Sequence, residues 1–454
     1  MIKIPANSSA PPIWRKMLIL ALPVALQMVL QAFLGMADVI MVGGLGAEAV
    51  AAVGLAAKLH FLMLVTMMGV ATACSIMVAQ YTGANNTRAS QKTLAIALLL
   101  GAVFMVPFTL IFCLGAFWLG WINPDQSVVQ LTAQFLLITA PVLLLTQLIT
   151  VYEAALRALG NTTAPLIFAA IAVVLNIGFN YVLIFGKFGL PELGVAGAAW
   201  GTLLARIIQL GLTLAWLYLT RHRFAIGWQE LKQALEPVEL QRFVRFSIPL
   251  LVNHAIWALG NAAYHVASGF AGTTALAVMG VMVPIETTFF ALFVGFANAA
   301  AVMVGQALGR NDIAGADYLC RFFSRITITT VITLSFILWL ISPWILQFFD
   351  HVDSATTTLL RQTIAVFCLG VWMKVINMLR ILGVLRAGGD THYCLLVDVI
   401  VMWVFGVPIY LGAVFFTDFS FVVLYALTYV EDALKWWPIR QRTSKGVWLK
   451  NLTG

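Results

Sequence analysis

The sequence predicts an all-α polytopic membrane protein, with twelve transmembrane helices in two parallel six-helix lobes. The first observation is composition: 62% of the residues are hydrophobic, 10% are charged and the mean hydropathy is +0.97, which excludes soluble globular classes. Apolar runs long enough to cross a ~30 Å hydrocarbon layer recur along the chain. The third observation is that part of the first half recurs in the second.

The twelve apolar runs predict the order of the helices, and one polar connection divides them into two groups of six. The predicted spans are 14–43, 51–80, 93–120, 128–154, 164–186, 194–220, 244–270, 275–308, 322–349, 356–385, 392–415 and 420–437. We therefore predict an N-lobe (14–220), a linker (221–243) and a C-lobe (244–437), with tails at 1–13 and 438–454. The N-terminus has no signal-peptide pattern, so the first helix is expected to stay in the protein.

An internal repeat supports this division. An offset of 226 residues aligns Pro23–Asn85 with Pro249–Asn311 without a gap, and five glycines coincide (Gly43/Gly269, Gly46/Gly272, Gly54/Gly280, Gly69/Gly295 and Gly83/Gly309). At an offset of 229, the run from Arg157 to Thr162 matches the run from Arg386 to Thr391. Because six is an even number of crossings, both lobes have the same orientation, and we expect a pseudo-twofold axis along the membrane normal.

The basic residues are distributed unevenly between the two sides of the predicted topology. With the N-terminus inside, the predicted spans place 20 of the 26 Lys and Arg residues on the side of the termini, and only Lys58, Lys187 and Arg361 on the opposite side. By the positive-inside rule, both termini are expected in the cytoplasm, across the cell inner membrane. The net charge of +8 thus reports topology rather than a nucleic-acid partner.

One carboxylate, Asp38, interrupts the apolar first helix. A charged residue is costly inside a membrane, so it indicates a functional site. Gln27 and Gln31 lie on the same stripe of that helix, and we predict that all three face the substrate. At the 226 offset the equivalents of Gln31 and Asp38 are Trp257 and Tyr264, which we also expect to contact substrate. The carboxylate therefore exists in one lobe only.

Several other intramembrane charges lie in the C-lobe. Glu286, Asp398, Lys374 and Arg380 are either mutually neutralising partners or a second polar site for substrate or protons. Glu153 and Arg157, four residues apart, predict an ion pair on a helix surface. The sequence indicates no partner for Arg206.

Motifs of other function classes are missing from the sequence. There is no Walker-type phosphate loop, no H-E-x-x-H and no G-x-S-x-G, so ATP hydrolysis and intramembrane enzyme chemistry are not indicated. The five cysteines are scattered singly and predict neither disulfides nor a zinc site. Two parallel lobes without an ATPase motif are typical of a secondary transporter, which needs no cofactor.

Several motifs resemble those of the multidrug and toxic compound extrusion (MATE) family. They are Gly35–Gly43 around Asp38, the paired Arg-Ala-(Leu/Gly)-Gly-(Asn/Asp)-Thr loops, Asn176–Tyr181 and Pro191–Ala199. The resemblance covers nearly the whole chain. It is strongest to the DinF-type branch, because the glutamate that other relatives carry on helix 7, near Trp257, is missing here.

The resemblance implies an antiporter that exports cationic or amphipathic compounds while protons enter. It also implies a cation site of Asp38, Asn176 and Asn180, and a bending point at Pro23. Asn176 and Asn180 are four residues apart and share a helical face, so their amide oxygens could join Asp38 around a small cation. Sodium coupling and a lipid-linked precursor flippase stay open as alternatives. We expect a monomer.

Overall fold

The computed structural model describes residues 12–347 and 354–453, and these form a bundle of long helices. The N-lobe contains α1 (Ile13–Gly43), α2 (Ala47–Gly83), α3 (Thr87–Cys113), α4 (Gln126–Ala158), α5 (Thr163–Ile184) and α6 (Gly194–Leu219). The C-lobe contains α7 (Pro237–Phe270), α8 (Thr273–Gly309), α9 (Ile313–Gln347), α10 (Ser354–Met378, continued by a π-helical segment Leu379–Leu385), α11 (Thr391–Phe416) and α12 (Phe421–Ser444).

Short segments connect some of these helices. They are Gly115–Trp118, Leu119–Trp121, Lys187–Gly189 and Trp228–Ala234. Most of the predicted tail 1–13 lies outside the described residues.

Eleven of the helices in the described ranges, α1 to α11, are long and apolar enough to cross a membrane. The twelfth, α12, is less apolar because it carries Glu431, Asp432 and Lys435. The predicted spans are correct in order, but several ends differ; α9, for example, begins at Ile313 rather than at 322. Helix α7 begins at Pro237, within the predicted linker, because a proline is favoured in the first turn of a helix. Helix α12 continues to Ser444, beyond the predicted end at 437.

The internal repeat is visible in the backbone. The turns from α1 to α2 and from α7 to α8 use equivalent glycines with nearly the same positive φ, 108° at Gly46 and 105° at Gly272. The turns that follow α2 and α8 use equivalent asparagines, with φ of 57° at Asn85 and 60° at Asn311. Left-handed conformations favour glycine and asparagine, so the repeat preserves the residues that shape these turns.

The lobes contact each other on the side of the bundle where α1 begins and α12 ends, which we call the termini side. Helix α1 packs on α8, and α2 packs on both α7 and α8. Buried residues at the start of α1, Met17, Leu20 and Ala21, belong to the hydrophobic core of the C-lobe. Conversely, Phe243 and Leu250 of α7 belong to a core cluster of the N-lobe. Each lobe thus contributes one helix start to the other's core.

The closest approach between the lobes is pseudo-symmetric. A Cβ atom at Gly83 would lie 2.1 Å from the carbonyl oxygen of Gln306, and one at Gly309 would lie 1.9 Å from that of Gln80. The Gln80 Nε2 donates to the Ala387 carbonyl at 2.7 Å, and the Gln306 Nε2 donates to the Ala158 carbonyl at 2.9 Å. These four residues, Gly83, Gly309, Gln80 and Gln306, form what we call the glutamine gate.

Beyond the middle of the bundle, the equivalent helix faces no longer touch. A Cβ atom added to Gly54 of α2 or to Gly280 of α8 would have no neighbouring atom within 4 Å, and the same holds at Gly35 of α1. Closer to the termini side, Gly69 faces the backbone of Leu251 across the lobe boundary, where an added Cβ would approach to 2.6 Å. The two lobes therefore diverge away from the termini side, and the bundle is closed at one end.

Candidate functional site

The polar site at Asp38 lies inside the N-lobe, where α1 meets α5 and α6. The Asp38 Oδ1 accepts a hydrogen bond from the Asn180 Nδ2 at 2.7 Å. The same Nδ2 donates to the Asn176 Oδ1 at 3.0 Å, and the Asn176 Nδ2 donates to the Thr202 hydroxyl at 3.3 Å. Asp38 is half-buried, whereas both asparagines are fully buried. The structure thus brings the three predicted residues together and adds Thr202.

The side-chain oxygen of Asn180 is not used in the hydrogen bonds described above. Its Oδ1 is buried and has no hydrogen-bond partner among the described residues. This oxygen lies against α6, where a Cβ on Gly201 would approach it to 2.1 Å, so only glycine fits there. A buried acceptor without a donor is costly, which makes a site for a ligand or an ordered water a physical expectation.

The donor set at this site suits a proton or a small hard cation. It combines a carboxylate with amide oxygens, which are the ligand types of Na⁺-like and Ca²⁺-like ions rather than of transition metals. Within the described ranges, no group of three or more His, Cys, Asp or Glu residues could hold a metal ion. Its oxygen ligands give the site the chemistry of an exchangeable proton or hard cation.

Gln27 is separated from this site, although it was predicted on the same stripe. Its side chain is buried, and its Nε2 donates to the Glu153 Oε2 at 2.9 Å. Gln31, one turn further along α1, is exposed. Pro23 lies inside α1, which continues through it as one helix in this structure. Helical spacing predicted Gln27, Gln31 and Asp38 on one face of α1, but the side chain of Gln27 instead hydrogen-bonds to Glu153 on α4.

Glu153 is the centre of a second polar group in the N-lobe. It pairs with Arg157 at 3.3 Å, which confirms the predicted ion pair. The prediction of a surface position was wrong, because Glu153 is buried. The Gln209 Nε2 donates to its Oε1 at 3.3 Å, and the Arg206 Nη1 donates to the Gln209 Oε1 at 2.7 Å. Arg206 therefore has a partner, on its own helix, that sequence reasoning missed.

The predicted second-lobe set is not brought together. Asp398 does not pair with Lys374 or Arg380; instead the Lys435 Nζ lies 2.8 Å from its Oδ1. Lys374 lies over the Phe290 ring at 5.3 Å. Glu286 accepts a hydrogen bond from the Tyr425 hydroxyl.

Arg380 is half-buried, and its Nε and Nη1 have no hydrogen-bond partner among the described residues. The predicted mutual neutralisation is therefore wrong in its partners. Asp398 lies on α11 facing α12, and helix spacing alone gives no information about that contact.

The actual C-lobe group is built around Lys435, which the sequence analysis did not single out. Lys435 also pairs with Glu431 at 2.6 Å, and the Tyr264 hydroxyl donates to the Glu431 Oε2 at 3.0 Å. Tyr264, expected to contact substrate, is thus engaged with a carboxylate inside the lobe. Trp257 is 40% exposed. One signal was available: Glu431 and Lys435 are four residues apart, the spacing of an ion pair on one helix face.

Asn253 and Arg386 complete this group. The Asn253 Nδ2 donates to the Asp398 Oδ2 at 2.8 Å, and the Arg386 Nη2 donates to the Asn253 Oδ1 at 2.5 Å. Their repeat equivalents are Gln27 and Arg157, and both of those contact Glu153. Each lobe therefore surrounds a buried carboxylate with an equivalent amide and an equivalent arginine.

Comparisons with known proteins agree with this architecture. The family model described as MatE matches residues 23–182 and 249–411, one stretch in each lobe. The chain is 24% identical to a "Probable multidrug resistance protein NorM" of Thermotoga maritima, over 89% of this chain and 86% of that protein. It is 25% identical to "Probable multidrug resistance protein YoeA" of Bacillus subtilis, over 89% and 87%.

Solved structures show the same fold. A "MATE in complex with MaL6" superposes with a TM-score of 0.86 at 18% identity, covering 96% of this chain and 97% of that chain. An "Outward-facing conformation of a multidrug resistance MATE family transporter of the MOP superfamily" gives 0.85 at 17% identity, with the same coverage. Since the family match includes both lobes, the chain belongs to the MATE family of multidrug transporters, with twelve transmembrane helices in two lobes.

Proposed function

We propose that this transporter exports cationic or amphipathic organic compounds in exchange for protons, and that Asp38 is the coupling carboxylate. The single observation that supports this is the carboxylate of Asp38, half-buried inside the N-lobe and held there by the amide of Asn180. An acid in this position can carry a proton or attract a cation, but it does not satisfy both at once. Competition for one negative charge is a sufficient reason for exchange.

The two-lobe geometry supplies the second requirement, an alternation of access. We propose that the termini side is cytoplasmic, because the basic residues of the predicted loops concentrate there. The glutamine gate then closes the cytoplasmic side, and the diverging lobes open to the outside. Binding of a proton at Asp38 and loss of the organic cation would favour the opposite arrangement through their different affinities for the two states.

Sodium is the second candidate for the coupling ion. The unpartnered Asn180 oxygen favours it, because Na⁺ coordinates amide and carboxylate oxygens, whereas a proton needs only the carboxylate. The anionic character of the site does not favour the flippase alternative, since a pyrophosphate group calls for cationic residues.

The experiment is efflux from reconstituted vesicles with pH and sodium gradients imposed separately. We expect a pH gradient to drive efflux of a fluorescent organic cation, and Asp38→Asn to abolish it. Glu48→Gln, an exposed acid at the start of α2, is the matched control and should transport as the wild type does. Efflux retained in Asp38→Asn would exclude Asp38 as the coupling residue, and efflux driven by sodium alone would replace the proton in the proposal.

A further inference from the structure

The polar group of the C-lobe is centred on a buried lysine, whereas amides surround the buried acid of the N-lobe. Lys435 is 5% exposed, and its ammonium lies 2.8 Å from the Asp398 carboxylate and 2.6 Å from that of Glu431. Both carboxylates are themselves buried, and each has a further donor, Asn253 on Asp398 and Tyr264 on Glu431. The ammonium is therefore enclosed by two anions and two neutral polar groups, much as a bound cation would be.

In the N-lobe, neutral amides hold the buried acid. Gln209 on α6, the last helix of that lobe, donates to Glu153. Gln27, which the 226 offset aligns with Asn253, also donates to Glu153. On α12, the last helix of the C-lobe, the side chain directed to the buried acid Asp398 is instead a charged lysine.

The charges around Lys435 balance only when the lysine is counted. Three carboxylates lie within electrostatic reach of Lys435, those of Asp398, Glu431 and Asp432. Two further cations face them, Arg386 near Asp398 and Lys374 near Asp432. Asn377 against Asp432 and Tyr410 beside Tyr264 are neutral. Removing the charge of Lys435 leaves one buried negative charge without compensation.

We propose that Lys435 is a tethered cation, which permanently fills the position between Asp398 and Glu431 that a free monovalent cation would otherwise take. It thereby confines ion coupling to the N-lobe. This inference rests on the proposed function in assigning the exchangeable ion to Asp38. A covalently attached ammonium is always present at its site, so a dissolved ion competes with an effective concentration far above its own.

The proposal is tested by replacing Lys435 with a neutral amide, the type of side chain that Gln209 directs to the buried acid of the N-lobe. Lys435→Gln is made in the Asp38→Asn background, which removes the N-lobe carboxylate. The thermal midpoint of the purified full chain is compared in sodium chloride and in choline chloride at equal ionic strength. We expect Asp38→Asn alone to show no difference, and the double variant to gain at least about 2 °C in sodium. Arg440→Gln, an exposed cation on α12, is the matched control and should give no sodium response.

The contrary outcomes are equally defined. A purely structural ion pair predicts that the double variant loses the same stability in both salts, which would overturn the proposal. If Lys435→Gln yields no folded protein in either salt, no free cation replaces the lysine and the proposal also fails. Lys435→Gln/Asp398→Asn, which restores the charge balance, should fold and show no sodium response; a response there would place the ion elsewhere.

The thermal measurement does not depend on transport, so it can fail while the proposed function stands. Conversely, efflux that survives Asp38→Asn would refute the coupling role of Asp38 without changing the sodium response expected for the double variant.

Discussion

The two lobes of this transporter have nearly the same backbone and different buried charges. In the N-lobe, Glu153 on α4 accepts from Gln27 and Gln209 and pairs with Arg157. In the C-lobe, the residue equivalent to Glu153 is Leu382, and the acid is Asp398, on α11. Both lobes thus place an equivalent amide and an equivalent arginine beside a buried acid, but the acid lies on α4 in the N-lobe and on α11 in the C-lobe.

The difference indicates that the repeat preserves the backbone shape of the lobes but not the positions of their buried charges. The equivalent turn glycines keep the same φ, and the glutamine gate has equivalent members in both lobes, because both lobes must pack against each other. Each buried acid, in contrast, bonds within its own lobe. A carboxylate can therefore lie on different helices in the two lobes if its partners remain within reach. A duplicated scaffold can therefore hold an exchangeable ion in one lobe and, as we propose, a fixed one in the other.

The largest expected effect is a difference in stability between variants of the two buried acids, Asp398 and Glu153. Asp398→Asn leaves Lys435 with one anionic partner in a buried site, and breaking such a pair costs about 3–5 kcal/mol. Glu153→Gln leaves Arg157, which is less buried, and Gln27 can still donate to the new amide oxygen. We expect it to cost about 1–2 kcal/mol.

Thermal unfolding in detergent, with Glu48→Gln as the surface control, measures both acid variants. Equal losses for Asp398→Asn and Glu153→Gln would contradict the distinction between a fixed ion pair and an adaptable polar group.

The sequence was sufficient for the architecture and for the Asp38 site. Helix order follows from apolar length, the lobes follow from the repeat, and Asn176 and Asn180 share a face because they are four residues apart. These inferences need only local geometry or a motif. The division into N-lobe, linker and C-lobe at the stated boundaries stays a prediction.

The C-lobe partners could not be predicted in the same way. Asp398 and Lys435 lie on different helices, and nothing in helical spacing states which faces of α11 and α12 meet. The prediction for Gln27 was wrong for the same reason. Helical spacing placed Gln27 on the face of Asp38, but its amide donates a hydrogen bond to Glu153 on α4. Extending the repeat offset from glycines to polar residues would have marked Gln27 and Asn253 as related positions.

A smaller effect is expected at the glycines of the gate. Gly83→Ala and Gly309→Ala would each place a Cβ within about 2 Å of a backbone carbonyl, as the measured 2.1 Å and 1.9 Å approaches show. Backbone shifts that relieve such overpacking cost about 1–3 kcal/mol, which corresponds to about a five- to hundredfold loss of the closed state. We expect the initial rate of efflux to fall accordingly in both variants.

The repeat provides matched controls for the gate glycines. Gly54→Ala and Gly280→Ala lie on the same two helices, where nothing is within 4 Å of a Cβ. Both should retain the wild-type rate. A similar loss in all four variants would show that helix flexibility, rather than contact between the lobes, sets the rate.

The smallest effect concerns the one asymmetry of the gate. Gln80 holds the C-terminal tail in addition to Ala387: its Oε1 accepts from the Leu452 N–H at 2.6 Å and its Nε2 donates to the Lys450 carbonyl at 3.3 Å. Gln306 is the equivalent residue, and its bond crosses to Ala158. Gln306→Ala should therefore weaken closure by about one hydrogen bond, about 1 kcal/mol, and Gln80→Ala by more.

Spin labels placed across the termini side, in a cysteine-free background, would report the closed population for the two gate variants. Within the described part of the chain, the bonds to Lys450 and Leu452 distinguish Gln80 from Gln306. Removing residues 450–454, which spares the buried Trp448, should therefore make Gln80→Ala and Gln306→Ala equivalent. If Gln80→Ala stays the more severe variant in the truncated chain, its additional effect arises in the lobe interface itself and not from the tail. The truncation should alter the distances less than Gln80→Ala does, because the Ala387 bond remains.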